Sequence, residues 1–133
     1  MSERLFVDTS AWFAFANRRD PDHRAVRKVL DASGIRLVTS NFVFDETVTL
    51  CLYRLGHAAA AAVGAALRDD ATVDVLRLSA DDERQAWALF LERPDHRYSF
   101  TDCTSFVLMR RLGLVRAVAL DDDFRGEGFQ TSP

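Results

Sequence analysis

Of the 17 basic residues in this 133-residue chain only one, Lys28, is lysine; the rest are arginine. Cysteine is almost as scarce. Cys51 and Cys103 both fall in apolar helical patterns, which predicts two reduced core thiols and excludes a disulfide framework or a thiolate zinc site. Any bound metal must therefore be held by oxygen. The three histidines, His23, His57 and His96, lie near expected helix starts or loops without the paired spacing of metal ligands and read as surface residues. No apolar run approaches the roughly 20 residues that cross a bilayer, so no membrane association is expected. The opening Arg4-Leu5-Phe6-Val7-Asp8 lacks a signal-peptide pattern, and the expected location is the cytoplasm. A formal charge of −3 leaves no overall basic field to grip nucleic acid, so any such contact must be local. What is present, 48% hydrophobic and 28% charged residues, is the balance of one globular domain spanning 1–133.

Hydrophobic patterning places strands at Arg4 to Val7, Ile35 to Val38, Thr72 to Leu78 and Leu114 to Leu120. Helices are expected between them. Thr9-Ser10 offers cap chemistry for a helix over Ala11 to Ala16, and Asp20-Pro21-Asp22 starts a second through Arg24 to Ala32. Thr39-Ser40-Asn41 caps a long helix from Phe42 to Leu55. An alanine-rich helix follows over His57 to Leu67, and Ser79 caps another through Leu91. Ser99 to Thr101 caps a further helix through Arg111, which Gly113 stops. Strands alternating with helices predict an α/β fold, a three-layer sandwich with a central, mostly parallel sheet flanked by helices. In such a fold the functional crevice lies beyond the carboxyl ends of the strands.

Four acids from distant segments can meet there: Asp8 and Asp121 at strand ends, Asp102 at a helix start, and Glu46 one turn into its helix. Clustered carboxylates repel one another unless a divalent cation neutralises them, and hard oxygen ligands suit Mg²⁺, with Mn²⁺ as a substitute. Phosphodiester hydrolysis fits that chemistry, with one ion or two. Each acid also has a plainer role open to it. Asp8 can be a strand-end turn or cap, and Asp102 a first-turn complement to its helix dipole with Thr101 as the cap. Asp45 competes with Glu46, and Asp121, Asp122 and Asp123 can form a solvated turn in which Asp123 is an auxiliary ligand. Arg18-Arg19, Arg93, Arg97 and Arg110-Arg111 are candidates to flank an RNA path, although solvated surface is the plainer reading of any one pair. Trp12, Phe13 and Phe100 read as packing residues.

Four segments carry a resemblance. Phe6-Val7-Asp8-Thr9-Ser10-Ala11, Thr39 through Thr47, Ser99-Phe100-Thr101-Asp102-Cys103 and Ala119-Leu120-Asp121-Asp122-Asp123-Phe124 occur in the order seen in PIN-domain proteins, and the whole chain resembles the VapC-type ribonuclease toxins of toxin–antitoxin pairs. The resemblance implies an endoribonuclease that leaves a 5′-phosphate and a 3′-hydroxyl. It implies Asp8, Glu46 and Asp102 as the acidic core and Asp121 as the fourth acid, with Ser10 and Thr101 in support. It also implies a cognate antitoxin and a homodimer. Ala119 stands where the family commonly has a hydroxyl residue, which blurs the map around the last acid.

Two other readings compete. An aspartyl-phosphate phosphatase or receiver-like domain would also use a strand-end aspartate, but Asp8-Thr9-Ser10 has no second aspartate two positions on, and Lys28 lies inside a helix. A non-catalytic interaction module would receive a partner's arginine in the acidic pocket. Transfer, ribosomal and messenger RNA all remain open as substrates.

Overall fold

The computed structural model describes residues 3–133. Its elements run β1 (Glu3–Val7), α1 (Thr9–Ala16), α2 (His23–Leu30), β2 (Ile35–Ser40), α3 (Asn41–Leu55) and α4 (His57–Asp69). They continue as β3 (Val73–Leu76), α5 (Ala80–Glu92), α6 (Phe100–Leu112), β4 (Arg116–Val118), α7 (Asp123–Gly126) and β5 (Gln130–Ser132). The five strands form one sheet in the order β3-β2-β1-β4-β5, and every pairing is parallel. The expected α/β sandwich is therefore present.

β1 and β2 end in continuous buried runs without alternation, as strands covered on both faces must. Phe6, Val7, Val38 and Val118 meet Phe106, Leu108, Met109 and Phe124 in the core. Around the sheet α3 packs on α4, α5 on α6, and α1 on α2 and α3. Gly64 of α4 faces α3, where a Cβ would lie 3.4 Å from a Val48 methyl, at the edge of ordinary contact, so the two helices pack closely there. Both cysteines are free and buried. Among the described residues no helix is long and apolar enough to cross a membrane.

Two short elements escaped the hydrophobic pattern. β5 pairs with β4 along three residues, and α7 is a single turn. β4 is shorter than the expected Leu114 to Leu120. Gly113, in the left-handed region at φ 69°, ends α6, and beyond Val118 the chain departs from the β1 ladder toward Asp121.

The order of the strands decides where a site can form. From β1 the chain builds outward through β2 to β3, then returns to add β4 and β5 on the opposite side. The connections diverge between β1 and β4, opening a crevice at their carboxyl ends. Asp8 follows β1 directly, and Asp121 follows β4 by three residues.

Candidate active site

Asp8 is a cap and remains a candidate site residue, two roles that one carboxylate can combine. It is the N-cap of α1, in place of the expected Thr9-Ser10, and its backbone N–H donates to Val118 O at 3.0 Å, joining β1 to β4. Ser10 fixes its carboxylate: the hydroxyl donates to Asp8 Oδ2 at 2.9 Å and accepts from Leu120 N–H at 3.1 Å. One serine thus links the ends of both central strands. The other oxygen, Asp8 Oδ1, is buried without a hydrogen-bond partner, and the residue is only 3% exposed.

Asp102 occupies the third position of α6 and closes a capping box with Ser99. Its Oδ2 accepts from Ser99 N–H at 2.9 Å, and the Ser99 hydroxyl accepts from Asp102 N–H at 3.0 Å. Ser99, not Thr101, is therefore the cap. The Thr101 carbonyl accepts from Thr104 and Ser105, and among the described residues its hydroxyl makes no hydrogen bond to an acid. On α3, Glu46 is half-buried and acts on Asp102, whereas Asp45 is exposed. Phe42 and Phe100 pack edge to face between the starts of α3 and α6, with centroids 5.9 Å apart. Beyond β4, Asp121 is exposed and accepts from Asp123 N–H, while Asp123 turns back and is half-buried.

These acids share one electrostatic environment. Burial first, then the charges of Asp102 and Asp121, push Asp8 up to about 7 against the opposing hydrogen bonds of Ser10. Asp102 is raised to about 6 by burial, against its bond from Ser99 N–H and with Asp123, Asp121 and Glu46 adding repulsion. Asp123 is raised by burial and by Asp121, and His96 opposes the shift. Both aspartates beyond β4 therefore act on the crevice, Asp121 on Asp8 and Asp102, Asp123 on Asp102. Among the described residues no three of these side chains converge as a ready-formed metal cage. The donor set nonetheless suits a divalent cation, because the unpartnered Asp8 Oδ1 and the mutual repulsion are what a cation would relieve.

A family model described as PIN domain matches residues 5–127. The chain belongs to the PIN-domain family. It is 42% identical to the 23S rRNA-specific endonuclease VapC20 of Mycobacterium tuberculosis over 125 residues, 94% of this chain and 95% of that one. Ribonuclease VapC26 of the same organism is 31% identical over 117 residues, covering 88% of this chain and 86% of its own. The crystal structure of VapC20, described as a toxin cleaving the sarcin–ricin loop, superposes with a TM-score of 0.91 at 40% identity, over 97% of this chain and 99% of that one. VapBC2 of Rickettsia felis, solved bound to a promoter DNA fragment, shares the fold alone, at a TM-score of 0.71 and 11% identity over 97% of each chain.

The loop bearing the last acids of this PIN domain is held by a residue that the pattern did not single out. Glu127, directly after α7, receives Arg93 at 3.0 Å, Arg110 at 3.1 Å and the Tyr98 hydroxyl at 3.2 Å, with its side chain only 4% exposed. Burial opposes its ionisation, but these bonds win and hold it below the usual glutamate range. Phe124 and Phe129 pack on Phe106 beside it. Arg111 in turn grips Asp82 on α5 through two bonds of 2.9 Å. Arg93, Arg110 and Arg111, expected as flanks of an RNA path, are thus committed to protein carboxylates; Arg18, Arg19 and Arg97 are exposed. An acid following Phe124 within reach of several arginines was the available signal for Glu127.

Proposed function

We propose that this PIN domain is a divalent-cation-dependent endoribonuclease, and that it acts as the toxin of a toxin–antitoxin pair in the cytoplasm. One observation carries the reading: the unpartnered carboxylate oxygen of Asp8, buried at the strand switch point and opposed by acids from α6 and from the loop after β4. Asp8 and Asp102 would be the principal residues holding the cation, with Glu46, Asp121 and Asp123 in support, and Mg²⁺ would suit this oxygen-only donor set, with Mn²⁺ as a substitute. When bound, the cation supplies neutralisation of the acids and polarisation of the scissile phosphoryl group.

The chain's own groups do the rest. Ser10 orients Asp8 through Oδ2, leaving the buried Oδ1 without a partner. Ser99 holds Asp102 by Oδ2 and so fixes the direction of its other oxygen; a carboxylate of the acidic cluster takes the proton of the attacking water. Departure of the 3′-oxygen then leaves the 5′-phosphate that the family resemblance implies. The single domain pairs as a homodimer and meets an antitoxin protein. Similarity to VapC20 makes ribosomal RNA the first substrate to try.

Purified protein is incubated with end-labelled RNA pools, ribosomal RNA included, with Mg²⁺ or Mn²⁺, with EDTA, and as Asp8→Asn. Cleavage that needs the ion and disappears in the variant is expected. So is a Mg²⁺-induced rise in Tm that Asp8→Asn lacks. Uncut RNA under every condition, with no Tm response, sinks the nuclease reading in favour of a binding-only module.

A further inference from the structure

A groove of about 450 Å³ that the proposed function leaves unused lies outside the acidic crevice along the edge strand β3, between it and helices α3 and α4. Its floor is apolar, formed by Phe44, Leu67, Val73 and Val75; the two valines share a face of β3 by strand alternation. Its charged side chains are of one sign. Arg68 and Arg77 line it, and among the described residues neither makes an ion pair or a side-chain hydrogen bond. This sets it apart from the other two grooves. The one between α5 and α6 has its arginines, Arg110 and Arg111, bound to Glu127 and Asp82. In the one beside α1, α2 and α4, Arg27 is paired with Asp31 and His23 is bonded to Ala14 O, which leaves Arg18 as its single arginine without an ion pair among the described residues, against two in the β3 groove.

Asn41, the first residue of α3, supplies a third feature. Its Oδ1 accepts from Leu78 N–H at 2.9 Å, which fixes the amide and leaves its two N–H donors free at the groove. That contact also ties the chain after β3, including Arg77, to the start of the helix that carries Glu46. Because all strands are parallel, Arg77 emerges at the carboxyl edge where β1 delivers Asp8, about 10 Å away at two strand spacings. The half-buried Phe42 and Phe100 lie at the helix starts along this edge.

We propose that this groove seats one nucleotide of the RNA substrate outside the cleaved bond, its base on the apolar floor and its phosphate on Arg77 and Arg68. The proposal rests on the nuclease reading for its substrate. Volume, charge and geometry each favour it: the space lies within the range of small-molecule sites, two uncommitted guanidiniums match a phosphate in a chain of net charge −3, and an oriented amide faces a base edge. Arg68, in the last turn of α4, also complements the helix dipole, and that role leaves its guanidinium available.

The test measures cleavage kinetics and, separately in EDTA, binding of fluorescein-labelled RNA by anisotropy across a salt series. Arg68→Gln with Arg77→Gln is compared with wild type and with Arg27→Gln as an exposed-arginine control. The double variant is expected to raise KM about tenfold with kcat within twofold, and to lower the salt slope of binding by about 0.7 per lost single-strand phosphate contact. Arg77→Lys should restore part of the loss, and Arg77→Glu should exceed Arg77→Gln. Unchanged KM and salt slope in a double variant with the wild-type Tm overturn the proposal. Binding that depends on the arginines, without any cleavage, upholds the groove and sinks the nuclease reading. No RNA binding by wild type in EDTA overturns the groove whatever the cleavage assay shows.

Discussion

Two helices of this protein begin with the same device and end in opposite electrostatic states. α5 and α6 each open on a capping box, Ser79 with Asp82 and Ser99 with Asp102, with matching hydrogen bonds of 2.9 and 3.0 Å. The local chemistry is the same. Asp82 then meets the Arg111 fork, which together with Ser79 outweighs burial and lowers its pKa, whereas Asp102 has no arginine to oppose its burial and is raised to about 6, with Asp123, Asp121 and Glu46 adding repulsion. A satisfied buried acid is architecture; a buried acid surrounded by acids is held ready for a cation. Capping and ligation are therefore compatible roles for one aspartate, and the local motif does not choose between them.

Two substitutions break that comparison in opposite directions. Asp102→Asn keeps a capping oxygen and removes repulsion, so cleavage should fall on the order of 10³-fold, the scale of losing one preorganised electrostatic partner, with Tm unchanged or higher. Arg111→Ala strands the buried Asp82 without its partner. It should lower stability by about 2 to 3 kcal/mol in urea unfolding, in the range for charged hydrogen bonds, and leave specific activity intact. An active, folded Asp102→Asn protein would remove Asp102 from the site.

Titration sharpens the same contrast in the metal-free protein. Asp8 has a folded pKa of about 7 against 3.8 for a free aspartate, so between those limits the folded state keeps a proton that the unfolded chain has released. Its contribution to stability is complete below pH 4 and is lost as pH rises through 7. Asp82 and Glu127, with lowered pKa values, behave inversely and lose their contribution as pH falls. The stability difference between Asp8→Asn and wild type in EDTA should therefore grow from near zero at pH 4 to a plateau above pH 7, by at most about 1.4 kcal/mol per pH unit crossed. A difference independent of pH would mean that Asp8 ionises normally.

The sequence made the strand-acid-helix units legible because buried parallel strands read as apolar runs, and an acid at the end of such a run is conspicuous. β5 and α7 were not legible, since Gln130 to Ser132 pairs on one side only and α7 is one turn whose single buried residue is Phe124. The acids that act on one another around Asp8 and Asp102 could be picked out by type and place, but the partners of the arginines could not. Whether Arg93, Arg110 and Arg111 faced RNA or protein depended on Glu127 and Asp82, which lie 34, 17 and 29 residues away along the chain. Long-range pairing of charges leaves no periodic trace. Spacing could not separate Glu46 from Asp45; burial could, because only Glu46 lies on the side of α3 that is partly covered and acts on Asp102.

The smallest effect is expected at Ser10, and it tests whether the crevice is preorganised or assembled by the ion. The hydroxyl makes two contacts, to Asp8 Oδ2 and from Leu120 N–H, and these tie the first acid to the segment that delivers the fourth. Ser10→Ala removes both while keeping the backbone bond from Ser10 N–H to Asp8 Oδ2. Stability should fall by about 1 kcal/mol, the usual net loss for a hydrogen bond. Mg²⁺ affinity, followed as the concentration giving half the maximal Tm shift, should weaken roughly tenfold, at the low end for groups that orient a ligand. Ser10→Thr, which retains a hydroxyl, should recover most of that affinity. Equal affinities in all three proteins would mean that Asp8 needs no help from Ser10 to reach its binding geometry, and that the ion alone organises the acids.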